Sequence, residues 1–521
     1  MAAPSLWNPP IELSGVERQI NKRLKRTGRL FSFLREYRSL IFDEEMQRAL
    51  VSMYDTESAR GQPPVPPAML AMVTLLQAYT RRSDAGAVED TVLDRRWQLV
   101  LGCIDADEPL FAQGTLFEFR KRLMEHDLDK KLLERTVEVA RRTGGFGDKA
   151  LRAALDSAPL WGAGRVEDTF NLIAHAMDVV ATCAAEVLGI EKDEVIEQSR
   201  VTLLGRGMKA KLDIDWSDDE QRHDALQRLL ADVQQLRDWV GERLADRAKV
   251  PPMKEALDLL ERVVQQDLEP DPERGGQRIS KGVAKDRRIS ITDADMRHGR
   301  KSKSRVINGY KRHVAQDLDS GIILAVDVEP ANRPEHEVVA VLEEELGDLA
   351  ELHVDRGYLA SPIVHELHAS GIRIVAKPWT PVNGGRFTKL AFRIDLDEQT
   401  VECPANHVAP IRGHQAKFSA AHCDVCPLRT KCTIAAHGRG RSVHIHEDES
   451  FHMELRARQR TEHGREQLRE RVAVEHALAH VCRRQGPRAR YLGRRKNLFD
   501  LRRTAAVENL HLAERTMREA A

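Results

Sequence analysis

Three acids in this 521-residue chain stand where a carboxylate could do chemistry. The stretch Leu352-His353-Val354-Asp355-Arg356-Gly357-Tyr358 is a short apolar run that ends on an aspartate and then turns, which predicts a buried strand delivering Asp355 to its carboxyl end. Residues 151–156 repeat the pattern, with Asp156 closing the run and Pro159 stopping any helix. Glu475 lies one helical turn after Arg471 in the helical period of 465–484. Each acid also has a plain reading: an Asp-x-Gly is a common turn, and an arginine four residues before a glutamate is a common salt bridge. Brought to one point, three carboxylates repel strongly unless cations separate them. Two Mg2+ or Mn2+ ions about 4 Å apart would meet that need and would activate and stabilise the oxygens of an in-line phosphoryl displacement.

A second group could hold a metal of another kind. Cys403, Cys423, Cys426 and Cys432 have the Cys-x-x-Cys knuckle that a tetrahedral thiolate zinc site needs. His407, His414 and His422 are nearby substitute ligands, and a set of reduced, buried cysteines is the other reading. Four of the chain's seven cysteines crowd into 403–432, which favours a reducing compartment over a disulfide scaffold.

The elements that must position these groups form an α/β pattern. Residues 1–148 read as a helical N-terminal domain for DNA binding or dimerisation, with apolar periodicity over 68–79 after a proline break. The first part of a catalytic core follows at 149–170, then a helical insertion at 171–274 with apolar positions Leu226, Leu229, Val233, Leu236 and Val240. Residues 275–385 continue the core. Strands are expected over 310–317 and 321–328 around Leu318-Asp319-Ser320, then an acidic helix over 334–349, the Asp355 strand, and another strand at 372–376. A cysteine-rich insertion at 386–440 and a C-terminal helical part with a basic tail at 441–521 complete the chain. The Gly357 turn is expected to let the backbone clear an incoming phosphate.

Lysine and arginine number 81 and so do aspartate and glutamate, so net charge selects no partner. Two blocks depart from that balance: 276–312 carries twelve basic residues against three acids, and 483–503 nine against one. These blocks read either as a polyanion surface or as solvated faces. The opening residues lack a basic region followed by an apolar run, so no secretory signal is expected, and the most apolar stretch, 174–190, is interrupted by Asp178 and Glu186.

At these residues the chain resembles the DDE insertion-sequence transposases, over roughly 25–510. The resemblance rests on Thr115-Leu116-Phe117-Glu118-Phe119-Arg120-Lys121-Arg122-Leu123, Leu155-Asp156-Ser157-Ala158-Pro159, Gly309-Tyr310-Lys311, Val354-Asp355-Arg356-Gly357-Tyr358, the segment from Cys423 to Cys432, and Arg471-Val472-Ala473-Val474-Glu475. It implies a ribonuclease H-like mixed-sheet core in which Asp156, Asp355 and Glu475 bind the catalytic metals. It further implies a bacterial, cytoplasmic enzyme that cuts the terminal inverted repeats of its own element and joins them to target DNA as a homodimer. Arg471 matches the family's phosphate-contacting arginine, and Lys311, Arg483 and Arg484 are expected on DNA with it. The family's tyrosine three residues before that arginine is Leu468 here, and its lysine seven after the glutamate is Cys482, next to Arg483 and Arg484. Two rival readings remain at this point: a DNA-binding regulator or inactive relic, and a metal-dependent nuclease without strand transfer.

Overall fold

The computed structural model describes residues 4–24, 28–54, 64–144, 150–205, 207–300 and 305–520. The 148/149 boundary and residues 301–304 of the first basic block lie outside the described residues. A six-stranded mixed sheet carries the acids. Its strands in chain order are β1 (Leu151–Trp161), β2 (Arg297–Arg300), β3 (Val306–Asp317), β4 (Ile323–Pro330), β5 (Leu349–Val354) and β6 (Arg373–Ala376). β1 sits centrally, antiparallel to β3 on one side and parallel to β5 on the other, with β6 parallel beyond β5. β2 and β4 share the outer edge of β3. Ala153, Ala154 and Leu155 are all buried, the mark of a strand covered on both faces.

The expected β3–β4 hairpin is present, closed by Gly321 N–H donating to the Asp317 carbonyl at 2.9 Å with Gly321 at φ +79°. Three expectations are corrected. β1 does not end at Asp156 but runs through Pro159 to Trp161. Proline is tolerated because β5 has already stopped at Val354, so that edge of β1 asks for no N–H. The helix expected over 334–349 is only a 3-10 turn, Glu335–Val338, and a short helix, Val339–Glu343, before Gly347 at φ +70° leads into β5. The single helix expected over 465–484 is two, Glu462–Glu470 and Val472–Gln485, with Arg471 at the break.

Four helices frame the sheet from both chain ends: α1 (Pro67–Thr80), α2 (Leu128–Gly144), α3 (Val472–Gln485) and α4 (Arg494–Ala520). α1 starts with proline at its first turn, where the missing N–H costs nothing, and is buried from Pro67 to Ala78. α4 packs against α1, α2 and β4, so residues of the N-terminal helices and of the sheet share one apolar core. Asn509 on α4 accepts from Ile323 N–H and donates to its carbonyl, both at 2.8 Å, which covers an edge strand that would otherwise be open. The second basic block belongs largely to this frame rather than to a free surface. Arg495 and Arg502 reach Asp129 on α2, Arg494 reaches Asp327 on β4, Arg503 pairs with Asp500, and Arg484 with Glu508.

The helical insertion builds a separate core, in which Thr169–Leu188 packs with Asp219–Leu244 and Met253–Asp267. Thr169–Leu188 is long and apolar enough to cross a membrane by composition, but its apolar positions form this core.

Arg312 on β3 ties the helix of Glu475 to the strand of Asp156. Its buried guanidinium donates to Gln485 Oε1 at 2.7 Å, the Gly486 carbonyl at 3.0 Å and the Pro159 carbonyl at 3.0 Å. Arg312→Met keeps the volume but strands those acceptors, so urea denaturation is expected to show a loss of about 3 kcal/mol. A change under about 0.5 kcal/mol, the range of an ordinary surface substitution, would refute this role.

Candidate active site

The parallel register of β1 and β5 places the first two acids side by side. Arg152 pairs with Glu351, Ala153 with Leu352 and Ala154 with His353. Continued upward, the same step sets Asp156 level with Asp355, just where β5 ends and the chain turns away. Asp355 caps the 3-10 turn Arg356–Ala360, its Oδ1 accepting from Arg356 N–H at 2.8 Å. The turn leaves its carboxylate exposed. Asp156 Oδ1 accepts from Ser157 N–H at 2.9 Å.

Glu475 arrives from the other side on the first turn of α3. Arg471, at the helix break, sends Nη1 to Asp156 Oδ1 at 3.3 Å and Nη2 to Glu475 Oε1 at 2.7 Å. One guanidinium therefore bridges the two acids, and the plain i,i+4 salt bridge anticipated for Glu475 is half of a larger contact. Burial pushes the Asp156 carboxyl above its ordinary range; Arg471 and the Ser157 N–H oppose that, and the charges of Glu475 and Asp355 add to it. Asp156 is thus within electrostatic reach of both other acids.

A cleft of about 340 Å³ opens beside Asp156 and Asp355, bordered also by Ser157, Lys311, Glu335 and His336. Lys311 donates Nζ to the Arg333 carbonyl at 2.6 Å. Arg484 is held by Glu508 and lies over the Tyr79 ring, whereas Arg483 is exposed. The room at Gly357 has an occupant: a Cβ there would stand 2.5 Å from Glu335 Oε2. Sequence reasoning missed Glu335, which opened an expected acidic helix; its only signal was its place after Pro334, at the exit of the hairpin.

The four cysteines line one small cavity, of about 30 Å³, together with His407 and His422. His407 and His422 stack at 4.4 Å, while His414 faces Glu447 instead. The Cys423–Cys426 turn closes with Cys426 N–H donating to the Cys423 carbonyl, and Arg441 N–H donates to Cys423 Sγ at 3.4 Å. Burial, reinforced by the other three thiols, raises the Cys432 thiol. All seven cysteines are free of disulfides. A small sheet, Arg393–Asp395, Thr400–Glu402, Val408–Arg412, Gln415–Lys417 and Ser442–His444, supports the cavity through Phe392, Val401 and Phe418.

Neither the three acids nor the four thiols are drawn tightly together. Among the described residues, only Glu351, His353 and Glu470 bring three ligand atoms within 4.8 Å of one another. That group already has two guanidiniums, Arg152 contacting both glutamates and Arg373 contacting Glu351, so it acts as an ion-pair network.

Comparison with known families finds two matches. Residues 403–512 match the Transposase DDE domain, and residues 16–122 match the Transposase domain (DUF772). The first takes in the four cysteines, Arg471 and Glu475; Asp156 and Asp355 lie outside both. No curated protein and no solved structure matches the chain. With one transposase-domain match towards each end, the comparisons support a DDE insertion-sequence transposase.

Proposed function

We propose that the protein cleaves the ends of its insertion sequence and joins them to target DNA, with Asp156, Asp355 and Glu475 as ligands of two Mg2+ or Mn2+ ions. The observation that carries this reading is the β1–β5 register, which sets Asp156 beside Asp355, with Arg471 linking Asp156 to Glu475. The donor set fits hard cations, being carboxylate oxygens only, and the raised Asp156 carboxyl marks a place where more positive charge is wanted. Bound there, divalent ions polarise the scissile phosphate and activate the attacking oxygen. The sheet order, with β1, β3 and β4 antiparallel and then β5 and β6 parallel, supports a ribonuclease H-like reading of the core.

The chain's own residues prepare the substrate. β1 and β5 hold two carboxylates on rigid strand backbone, and α3 holds the third through Arg312 and Arg471. With Asp156 and Glu475 holding cations, the Arg471 guanidinium would be free to hold a DNA phosphate. Lys311 and His336 border the cleft where the strand would lie, and exposed Arg483 adds salt-sensitive backbone contact without reading sequence. In the first step a water oxygen bonds to phosphorus as the 3′ oxygen leaves. In the second, that 3′ hydroxyl attacks a target phosphodiester, so one P–O bond forms as one breaks. Pairing two element ends calls for two copies of the chain. The cysteine cavity, lined by four thiols beside a small sheet, is read as a structural zinc site.

Asp355→Asn is expected to abolish Mg2+-dependent cleavage of element-end DNA while leaving binding in gel shifts intact. A cleaving Asp355→Asn protein would sink the assignment, and wild-type cleavage without joined product would reduce the enzyme to a nuclease. Arg471→Gln removes the cation that opposes the upward shift of Asp156. Its carboxyl therefore rises further, and Mg2+ affinity should begin to fall at a higher pH than in the wild type as the solution is acidified. Superimposable pH profiles would contradict the bridge. Elemental analysis should find about one zinc per chain, the complement of a single four-thiolate site, and less after Cys426→Ser; unchanged zinc would remove the cluster.

A further inference from the structure

Glu335 has the placement of a working carboxylate. It opens the 3-10 turn that follows β4, behind Pro334, and enters the cleft shared by Asp156 and Asp355. Ser157 Oγ donates to its Oε1 at 2.7 Å. Its Oε2 fills the space that Gly357 leaves by lacking a Cβ. Beneath them Tyr358 is completely buried, and His313 Nδ1 lies 3.0 Å from its hydroxyl. Burial, then the charges of Glu335 and Asp156, hold that phenol well above its ordinary value, so it stays neutral.

The charges are divided unevenly. Arg471 serves Asp156 and Glu475. Lys311 directs its ammonium to a main-chain carbonyl. Among the described residues neither Asp355 nor Glu335 has an ion pair: Asp355 accepts from a backbone N–H and Glu335 from a hydroxyl. Arg300 and Lys311 border the same cleft, but among the described residues neither is ion-paired to Asp355 or Glu335; two carboxylates with only neutral hydrogen-bond donors repel, and a shared hard cation would relieve that repulsion.

We propose that Glu335 is a fourth carboxylate of the metal centre, binding the divalent cation on the Asp355 side, and that Ser157 is the positioning residue that aims it. This rests on the two-metal reading above. The competing role for Glu335 is structural, a hydroxyl acceptor that pins the turn after β4 to β1.

The two roles separate in Mn2+ binding to the full-length protein, read by electron paramagnetic resonance of the free ion, with thermal melting as the folding control. Glu335→Gln keeps an oxygen for Ser157 but loses the charge; it is expected to weaken Mn2+ binding about tenfold or more with melting unchanged, and Ser157→Ala to weaken it less. Wild-type Mn2+ affinity in folded Glu335→Gln overturns the inference. Asp355→Asn distinguishes the levels of failure. If it loses Mn2+ while Glu335→Gln does not, the two-metal centre stands without Glu335; if it too binds normally, both readings fall. Should Glu335→Gln not fold, Glu335→Asp decides, since a carboxylate shortened by one methylene lowers affinity if it binds the cation and leaves it unchanged if it does not.

Discussion

The site depends on holding like charges together. Carboxylates facing one site repel, the more so where burial lowers the local dielectric. Arg471 prevents this by lying between Asp156 and Glu475, 3.3 Å from one and 2.7 Å from the other. Its position depends on the break between Glu462–Glu470 and α3, because a continuous helix would not leave Arg471 at a helix start. Buried Arg312 then fixes the far end of α3 to β1. Two arginines, one at each end of a fourteen-residue helix, set the third acid against the sheet.

The second constraint is where β5 stops. Had it continued alongside β1, the edge at Asp156 would be filled by backbone pairing and no cleft would exist. Ending at Val354, it leaves β1 to run on past Pro159 against β3 with no β5 residue beside it, and turns Asp355 outward as a cap. The proline, the aspartate cap and the glycine after it are consequences of one event: a strand ending beside a longer neighbour.

This explains what was legible in the sequence. Asp156 and Asp355 each close an apolar run, and such runs are local, so both strands and the hairpin between β3 and β4 could be read directly. The pairing of Asp156 with Glu475 could not, since it passes through Arg471, whose partners lie 315 and 4 residues away (471 − 156 and 475 − 471). Glu335 was hidden for the same reason: its hydroxyl partner is 178 residues distant, and a 3-10 turn has no long period to betray which side faces a cleft. The basic block at 483–503 misled in the opposite direction. Composition left it as either a surface for polyanions or a solvated face, yet Arg494, Arg495, Arg502 and Arg503 find acids within the protein. Charge counts along a chain cannot register partners that folding brings from elsewhere.

Those internal arginines bear on how the two matched regions cooperate. The N-terminal match ends at residue 122 and the C-terminal one begins at 403, yet α4, which begins inside the second, packs on α1, inside the first. Arg495 and Arg502 add ion pairs from α4 to Asp127 and Asp129, which closely follow the N-terminal match, and Asp129 is almost wholly buried. A buried carboxylate with two guanidiniums holds geometry more firmly than a surface pair, because separating them would leave charge stranded in an apolar setting. α4 also covers the outer edge of β4, two strands from Asp156. The N-terminal helices, the closing helix and the acid-bearing sheet therefore share one packed core, the same core that positions Asp156.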